Sequence, residues 1–425
     1  MHLWRKALIF AVFLGLLSWV GYTQANRLRI EYHLRRADEA LRRFDFEDAQ
    51  EEFSACLRLR PEDADLHLRL ARTARRAGRY DDAEQHLLDC QRLAGANPES
   101  VLEFAMLKAQ QGNLVDSQNY LLAALKNDSP ESSLILEALA QGTIRIVHLG
   151  SAMNYLNQLL EREPDHVRAL FLRGQLWERL IRLEEALRDY RRAIEIKPDF
   201  LSPRLSLGEM LVRLSRGDEA LEHFEFLQER QPHAARVLLG LAQCRRQQGE
   251  TEKAEELLDE LLDQYPDFRE GLVQRAMLRL DANKPDEAER LLRRAVKNAP
   301  YAREPNFLLE RALQMQGKDS EGKKFRDRVK EIDESKSGLG HVIDLISKSP
   351  NDLNLRRQAA LLCLHCDRNI EALQWLQGSL QINPNHKATH AALADYYEQI
   401  GQPELADPHR EAAGKASDKQ PLNSR

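Results

Sequence analysis

The sequence predicts an all-α protein built from repeated pairs of helices, and three observations carry this prediction. Prolines recur at a fixed interval of 34 residues, at Pro164, Pro198, Pro232, Pro266 and Pro300. Charged residues make up 30% of the chain and aromatic residues only 6%, which suits helices with solvated faces and offers little to strands. At 425 residues the chain exceeds a usual single-core domain, whereas a repeat architecture needs no single core.

Composition and motifs also argue against several function classes. The 62 Lys and Arg against 67 Asp and Glu give a net charge of −5, so no nucleic-acid partner is predicted. Cys363 and Cys366 form a CxxC inside a helical pattern with no second CxxC, which predicts two packed residues and no metal site. Phosphate-binding glycine loops, HExxH and GxSxG motifs are missing, and the 13 histidines are scattered. We therefore predict no enzyme, no cofactor and no small-molecule substrate.

The one stretch that could enter a membrane lies at the N-terminus. Residues 7–22 are nearly all apolar, and no charge occurs in the run of 20 residues between Lys6 and Arg27. As a helix that run is about 30 Å long, enough for a bilayer. Residues 5–6 are basic, and Thr23–Ala25 places small residues where a signal peptidase reads them. Membrane contact through residues 7–22 is therefore predicted.

The sequence is compatible with two interpretations of this segment. Residues 1–26 are either a single-pass anchor or a signal peptide that is cleaved after Ala25. The arginines between Arg27 and Arg43 favour a cytoplasmic position for the rest of the chain by the positive-inside rule. The basic start and the cleavage signal favour export instead, and we expect an anchored protein on the exported side. The cytoplasmic side and a cleaved, secreted form are the alternatives.

Each repeat keeps a small and a large residue at fixed distances before its proline. The small residues are Ala152, Ala186, Ala220, Ala254 and Ala288, and the large ones are Leu156, Tyr190, Phe224, Leu258 and Leu292. A small residue allows two helices to cross closely, and a large apolar residue fills the space between repeats. Proline then ends the second helix because it lacks a backbone donor. Glycines at residues 216–218 and 248–250 indicate turns with left-handed backbone.

This pattern resembles the tetratricopeptide-repeat (TPR) family, which has small, aromatic, alanine and proline residues at set positions. The unit from Val167 to Phe200 matches best, through Gly174, Trp177, Ala186, Tyr190, Ala193 and Pro198. The resemblance extends over roughly residues 30–414. It implies a right-handed superhelical solenoid of about ten helix-turn-helix TPR units.

The prolines and alanines also suggest how the chain is divided. Residues 30–302 are predicted to hold eight TPR units, and residues 350–414 two more, the last of which is a polar cap. Between them the spacing breaks, so residues 303–349 are expected to form an irregular helical unit or hinge, with a charged helix from about residue 321 to residue 334 that ends at residues 335–340. Residues 415–425 lack apolar side chains and are predicted to be a disordered tail.

The resemblance implies a binding groove, since the first helix of each unit lines the concave face in this family. The residues of this chain that fall there are Arg69, Arg72, Arg76, Arg145, Arg168, Phe171, Gln175, Arg179, Arg213, Arg236, Gln243 and Arg246. So many arginines in a net-acidic protein suggest a groove for acidic segments, because guanidinium groups bind carboxylates in a bidentate way. Alternatively, these arginines are solvated or pair with glutamates of neighbouring helices.

These features predict a membrane-associated scaffold or adaptor that binds protein partners or peptide segments in its concave groove. Two alternatives stay open. One is a regulatory subunit of a membrane or envelope-biogenesis enzyme, and the other is a secreted soluble scaffold after signal cleavage. The family's shared property is protein binding, so the resemblance does not choose among them.

Overall fold

The structure is a computed structural model that describes residues 2–127 and 129–414, without the side chains of residues 2–20, 22 and 116. Within these ranges every regular element is a helix and no strand occurs. In the part of the chain that the structure describes, no helix combines the length and the apolar character needed to cross a membrane. The side chains of the predicted anchor at residues 7–22, apart from Gly21, and the predicted tail at residues 415–425 lie outside the described part.

The chain divides into two units, Met1–Leu139 and Ala140–Arg425. The helices of the first unit are α1 (His2–Arg42), α2 (Phe46–Leu59), α3 (Ala64–Arg76), α4 (Tyr80–Ala94), α5 (Pro98–Gln110) and α6 (Leu114–Lys126). Consecutive helices pack in pairs, α1 with α2, α3 with α4 and α5 with α6. Helix α7 (Ser132–Arg145) contains the boundary between the units.

The second unit continues the same pairing. Its helices are α8 (Leu149–Arg162), α9 (Val167–Arg179), α10 (Leu183–Ile196), α11 (Leu201–Arg213), α12 (Gly217–Gln228), α13 (Ala235–Gln247), α14 (Thr251–Gln264), α15 (Arg269–Asp281), α16 (Pro285–Asn298), α17 (Arg303–Met315), α18 (Asp319–Lys348), α19 (Leu353–Leu364), α20 (Asn369–Ile382), α21 (Lys387–Gln399) and α22 (Pro403–Ala413). Most are 12 to 14 residues long, so each pair with its turns fills the 34-residue period seen in the sequence.

The residues that recur with the period form the core, as predicted. The five small residues from Ala152 to Ala288 are fully buried, and the five large ones from Leu156 to Leu292 are at most 1% exposed. Phe224 lies between two helices that both approach it at glycine. A Cβ atom added to Gly208 would lie 3.0 Å from the ring, and one added to Gly240 only 2.1 Å from it. Close helix crossing therefore depends on the absence of a side chain at these positions.

The turns between helices use left-handed residues, but not always the predicted one. Gly249 has φ +80°, as the glycine at residues 248–250 predicts. At residues 216–218 the prediction is wrong, because Ser215 takes the left-handed position with φ 58° and Gly217 begins helix α12. A Cβ atom on Gly217 would lie 2.6 Å from Oε1 and 3.2 Å from Cβ of Gln247, so this glycine packs against a side chain of α13 and does not form the turn.

A recurring hydrogen bond ties the first helix of several pairs to the proline six residues earlier. The contacts to proline carbonyl oxygens are His67 Nε2 to Pro61 (3.4 Å), Asn306 Nδ2 to Pro300 (3.0 Å), Arg356 Nε to Pro350 (2.7 Å) and His390 Nε2 to Pro384 (2.8 Å). An imidazole or amide makes three of these four contacts. The contact therefore needs a hydrogen-bond donor but no guanidinium charge.

Residues 303–349 form a helix pair whose second member, α18, is 30 residues long. The helix end expected near residues 335–340 is not observed, because α18 runs without interruption to Lys348. Ile332, Leu339, Val342 and Ile346 recur at helical spacing and are at most 6% exposed. Burial of this apolar stripe outweighs the weak helix propensity of the glycines and serines in that stretch.

A polar cluster joins α16 to the start of α18. Glu289 accepts hydrogen bonds from Arg293 (2.7 Å), Gln316 (2.9 Å) and Lys318 (2.8 Å). Burial acts to raise the pKa of Glu289, but the hydrogen bonds from Lys318, Arg293 and Gln316 outweigh this effect and lower the pKa to about 2. The carboxylate is thus strongly held in its charged form.

Candidate partner-binding sites

The first unit brings three of the predicted groove residues together. Arg69, Arg72 and Arg76 of α3 line a cavity of about 250 Å³, which we call the arginine cavity. Its other lining residues are Leu41, Phe53, Asp65, Leu68, Thr73 and Glu99. The cavity thus combines an apolar floor with cationic side chains, a combination that suits an amphipathic peptide.

A buried ion pair holds α3 against α5 beneath these arginines. Arg75, 2% exposed, donates to the fully buried Glu103 and, through Nη1, to Gln110 Oε1 at 2.8 Å. Arg72 also approaches Glu103, with Nε 3.3 Å from Oε2, and lies 3.9 Å from Glu131. Arg72 therefore shares the buried carboxylate of Glu103 with Arg75 and lies farther from the carboxylate of Glu131.

Of the other two arginines of this cavity, Arg69 makes an exposed contact and Arg76 is half-buried. Arg69 Nε donates to Asp65 Oδ2 at 2.7 Å, and both side chains are at least 45% exposed. The guanidinium of Arg76 lies 5.2 Å from the centre of the Phe46 ring. An exposed ion pair contributes only about 0–1 kcal/mol, so a partner carboxylate can replace Asp65 at little cost.

In the second unit, most predicted groove residues contact other parts of the chain. Phe171 packs against Tyr190 and Phe200, with ring centres 6.0 and 5.4 Å apart, so this side chain contributes to the core. Gln175 is exposed and Gln243 half-buried. Arg145 and Arg168 are half-buried and each has an interaction partner.

Two arginines of this unit pair with acidic residues of a neighbouring helix pair. Arg213 forms an ion pair with Glu178, and Arg236 Nε donates to Glu209 at 2.7 Å. These two contacts follow the alternative in which groove arginines pair with glutamates of adjacent helices. Arg246 is half-buried, and its charge opposes the overall rise that burial causes in the pKa of Glu304 on α17.

Arg179 contacts the C-terminal helices of the same unit. Its Nη2 atom donates to Gln374 Oε1 at 3.2 Å and lies 3.6 Å from a carboxylate oxygen of Glu371, both on α20. A Cβ atom added to Gly378 of α20 would lie 3.0 Å from the carbonyl oxygen of Ile146, so the two segments touch at this glycine. The position predicted to meet a partner near Arg179 is therefore occupied by the chain itself.

A second cavity, of about 450 Å³, lies beside these contacts, and we call it the α20 cavity. Residues of the α7–α8 turn, α8, α9, α18, α19 and α20 line it. Sequence reasoning missed it because residues such as His148 and Trp375 lie more than 200 positions apart. The one signal in the sequence is Arg356, an arginine at a position that a neutral donor fills in other units.

One group of side chains in the described part of the chain could hold a metal ion. His67, His86 and Asp89 place their donor atoms within 4.8 Å of one another, with the two Nδ1 atoms 3.2 Å apart. His390 and His409 repeat the same contact at 2.8 Å. The 19-residue spacing of both pairs is a sign of a repeated contact between two helices, and such a contact needs no metal.

The CxxC cysteines are packed, as predicted. Cys363 is fully buried, and burial raises the pKa of its thiol to about 12. The Cys366 thiol donates to the carbonyl oxygen of Ile332, with a sulfur–oxygen distance of 3.7 Å. Neither sulfur is therefore poised as a thiolate ligand or nucleophile.

Comparison with known proteins matches this architecture. A family model for the tetratricopeptide repeat matches residues 40–90 and 211–278, and a second matches residues 148–199. No curated protein matches the chain.

Solved structures with similar folds are only distantly related. PilW, a type IV pilus biogenesis factor, is 20% identical over 47% of this chain and 92% of its own, with a TM-score of 0.42. A TPR protein from Parabacteroides merdae is 18% identical over 67% and 99%, with a TM-score of 0.36. A human IFIT1 dimer is 16% identical over 83% and 89%, with a TM-score of 0.43. These likenesses are too loose to carry an argument about function.

The family models and the helix pairs agree on the repeat. The match at residues 148–199 contains α8, α9 and α10, and the match at residues 211–278 contains α12, α13 and α14. The chain is therefore a tetratricopeptide-repeat protein, and its architecture is that of a protein-binding scaffold.

Proposed function

We propose that the protein is a membrane-associated scaffold that binds an acidic segment of a protein partner at the arginine cavity. The observation that carries this proposal is the convergence of Arg69, Arg72 and Arg76 over the apolar side chains of Leu41 and Leu68. A segment that alternates acidic and apolar residues would match both features. Guanidinium forks bind its carboxylates, and the cavity floor takes the apolar side chains.

The framework beneath this cavity supports the proposal because it is already ordered. The buried pair of Arg75 and Glu103 fixes α3 against α5; Arg69 takes no part in it, and Arg72 reaches Glu103 through Nε. Binding would then exchange exposed intramolecular ion pairs for intermolecular ones. Because the cavity needs little reorganisation, the partner alone is ordered on binding.

Membrane association is the second part of the proposal. Its support is the uncharged run at residues 7–22 together with the continuity of α1, which extends from His2 to Arg42. The C-terminal part of α1 belongs to the first helix pair, where Ile30 and Ala37 are buried. An anchor at residues 7–22 would hold the first helix pair close to the bilayer.

Peptide titration tests the binding site. The probe is a fluorescent peptide of alternating glutamate and leucine, added to the full chain, with a lysine-for-glutamate peptide as its control. Binding is expected to weaken about tenfold in the R69A/R72A protein, equivalent to about 1.4 kcal/mol, and to fall with added salt. The matched control, R192A/R294A, removes two exposed ion-paired arginines of the second unit and is expected to bind as the wild type does. Equal affinity in both double variants would refute the proposed site.

Fractionation with mass determination of the mature N-terminus tests the membrane part. An intact Met1 in the membrane fraction supports the anchor. A soluble form that begins at Asn26 would contradict it and favour a secreted scaffold.

A further inference from the structure

The α20 cavity has a lining that is mostly apolar. All of its residues belong to the second unit, and the apolar ones include Val147, Leu149, Leu180, Ile343, Ile346 and Pro350. Its volume of about 450 Å³ lies in the range of small-molecule sites. Any ligand must therefore be largely apolar, and the polar groups of the wall decide which apolar molecule fits.

The first of these polar groups is a buried arginine without a carboxylate. Arg356 is fully buried, and its Nε and Nη1 atoms donate to the carbonyl oxygens of Pro350 (2.7 Å) and Ile146 (3.2 Å). Its Nη2 atom is buried without a hydrogen-bond partner among the described residues, and no ion pair reaches the guanidinium there. Burying a cation without an anion is costly, and burial lowers the pKa of Arg356 to about 10.

The guanidinium is not needed for one of its contacts, the hydrogen bond to the carbonyl oxygen of Pro350. In other helix pairs, His67, Asn306 and His390 donate to the equivalent proline carbonyl. A smaller donor at residue 356 would make that contact without placing a charge in the core. Nη1 serves the hydrogen bond to Ile146, so Nη2 and the charge of Arg356 are what call for a separate explanation.

Two further polar atoms of the cavity wall are also without partners in the described structure. Trp375 is 2% exposed, and its Nε1 atom, a donor, is buried without an acceptor. Nε2 of His148 is also buried, and it has no hydrogen-bond partner among the described residues. Burial, with a further contribution from Arg356, lowers the pKa of His148 to about 4, so its imidazole is neutral at pH 7. The guanidinium and the indole N–H are thus two donors of residues that line the cavity, and neither has an acceptor among the described residues.

The charges of the side chains that line the α20 cavity favour an anionic group on the ligand. Three guanidinium groups, of Arg179, Arg356 and Arg368, line the cavity, against the single carboxylate of Glu371. Arg179 and Arg368 both form ion pairs with Glu371, which leaves Arg356 as the cation without a carboxylate; its guanidinium lies 5.3 Å from the centre of the Trp375 ring. An acceptor with one negative charge would satisfy the unpartnered donors and compensate the charge of Arg356.

We propose that the α20 cavity binds an apolar molecule that carries one carboxylate, with the carboxylate on Arg356 and Trp375 and the apolar body against Val147 and Ile346. A medium-chain fatty acid has this chemistry, and so does a protein C-terminus that ends in apolar residues. The site is distinct from the arginine cavity, which lies in the first unit, and does not depend on the function proposed there.

Calorimetric titration of the full chain with decanoate tests the site. Decanoate is expected to bind with one-to-one stoichiometry, and decanol, which has the chain without the charge, at least tenfold more weakly. Acetate, which has the charge without the chain, is expected not to bind. A peptide with a free C-terminal Leu-Phe and its C-terminal amide distinguish the two sources. Competition by the free peptide alone identifies a protein C-terminus, and decanoate binding without peptide competition identifies a small molecule.

Variants assign the binding to the cavity. W375F keeps an aromatic ring but removes the N–H donor, and R356Q keeps a donor for the proline carbonyl but removes the charge. Each is expected to weaken decanoate binding about tenfold or more. W177F, a half-buried tryptophan of another helix pair, is the matched control and is expected to bind normally. If R356Q does not fold, W375F carries the test.

Two outcomes would overturn the proposal. One is equal binding of decanoate and decanol, which would mean that the carboxylate makes no specific contact. The other is no binding of decanoate or of the free peptide, which would mean that water alone satisfies these buried groups.

Discussion

Replacing Gly240 by alanine tests whether close helix crossing holds the repeat together. The new Cβ atom would lie 2.1 Å from Cε1 and 2.2 Å from Cζ of Phe224. The ring cannot easily move away, because its other edge faces Gly208 and the residue is fully buried. Either the ring leaves its position or helices α12 and α13 separate.

The expected loss follows from two opposing terms. Overpacking in a dense core costs about 1–3 kcal/mol, and the contact distances place this change at the upper end. Alanine is better than glycine in a helix by about 1 kcal/mol, which offsets part of that loss. The free energy of unfolding around α12 and α13 should therefore fall by about 1–2 kcal/mol.

Hydrogen exchange of the full chain, read by mass spectrometry, measures this loss helix by helix. Protection should fall in α12 and α13 and persist in α3 and α4, because repeat units interact mainly with their neighbours. Gly340 of α18 is the control, since an added Cβ atom would meet nothing within 4 Å and G340A should be neutral or stabilising. The double variant G240A/F224L should lose less than the two single changes together. Additive losses, or an unchanged G240A protein, would refute the steric explanation.

Three further predictions concern buried charges and thiols. E103Q leaves Arg75 as a buried cation without its carboxylate, so we expect a loss of about 3–5 kcal/mol by urea unfolding, partly recovered in R75M/E103Q. If R75M/E103Q recovers no stability relative to E103Q, an unpaired Arg75 is not the cause of the loss. The pKa of Glu289 is about 2 in the folded protein against 4.5 ordinarily, so its stabilising effect is complete above pH 4.5 and disappears toward pH 2. The stability difference between wild type and E289Q, up to about 3 kcal/mol at pH 7, should shrink across that window, and a constant difference would contradict this assignment. Burial raises the pKa of Cys244 and Cys363 to about 12, so both thiols should react with Ellman's reagent at pH 8 only as fast as the protein unfolds. Faster labelling of either thiol would show that it is not protected.

The helices and their order could be predicted from the sequence because the repeat is defined by residues that are close together along the chain. Small residues such as Ala186 and large ones such as Tyr190 recur at constant spacing, and each is buried at the equivalent place in its own helix pair. A solenoid unit touches mainly its neighbours, so local pattern and tertiary structure agree. Errors occurred where one local signal competed with packing, at Gly217 and within α18.

The candidate sites were less predictable. The resemblance led to Arg69, Arg72 and Arg76, which the structure does place around one cavity. It equally suggested Arg179, whose contacts with α20 join residues about 190 positions apart. No repeat pattern encodes such a contact, because the residues involved belong to units that are not neighbours in sequence.

By itself, the sequence determined the all-helical repeat, the residues of its core and the surplus of arginines on first helices. Their periodicity is local, and the burial of apolar faces follows from it. Only the tertiary structure decided which arginines already pair with an acid of the chain and which, such as Arg356, are buried without one. The reason is electrostatic, because the cost of a charge depends on what surrounds it in space and not on its neighbours along the chain.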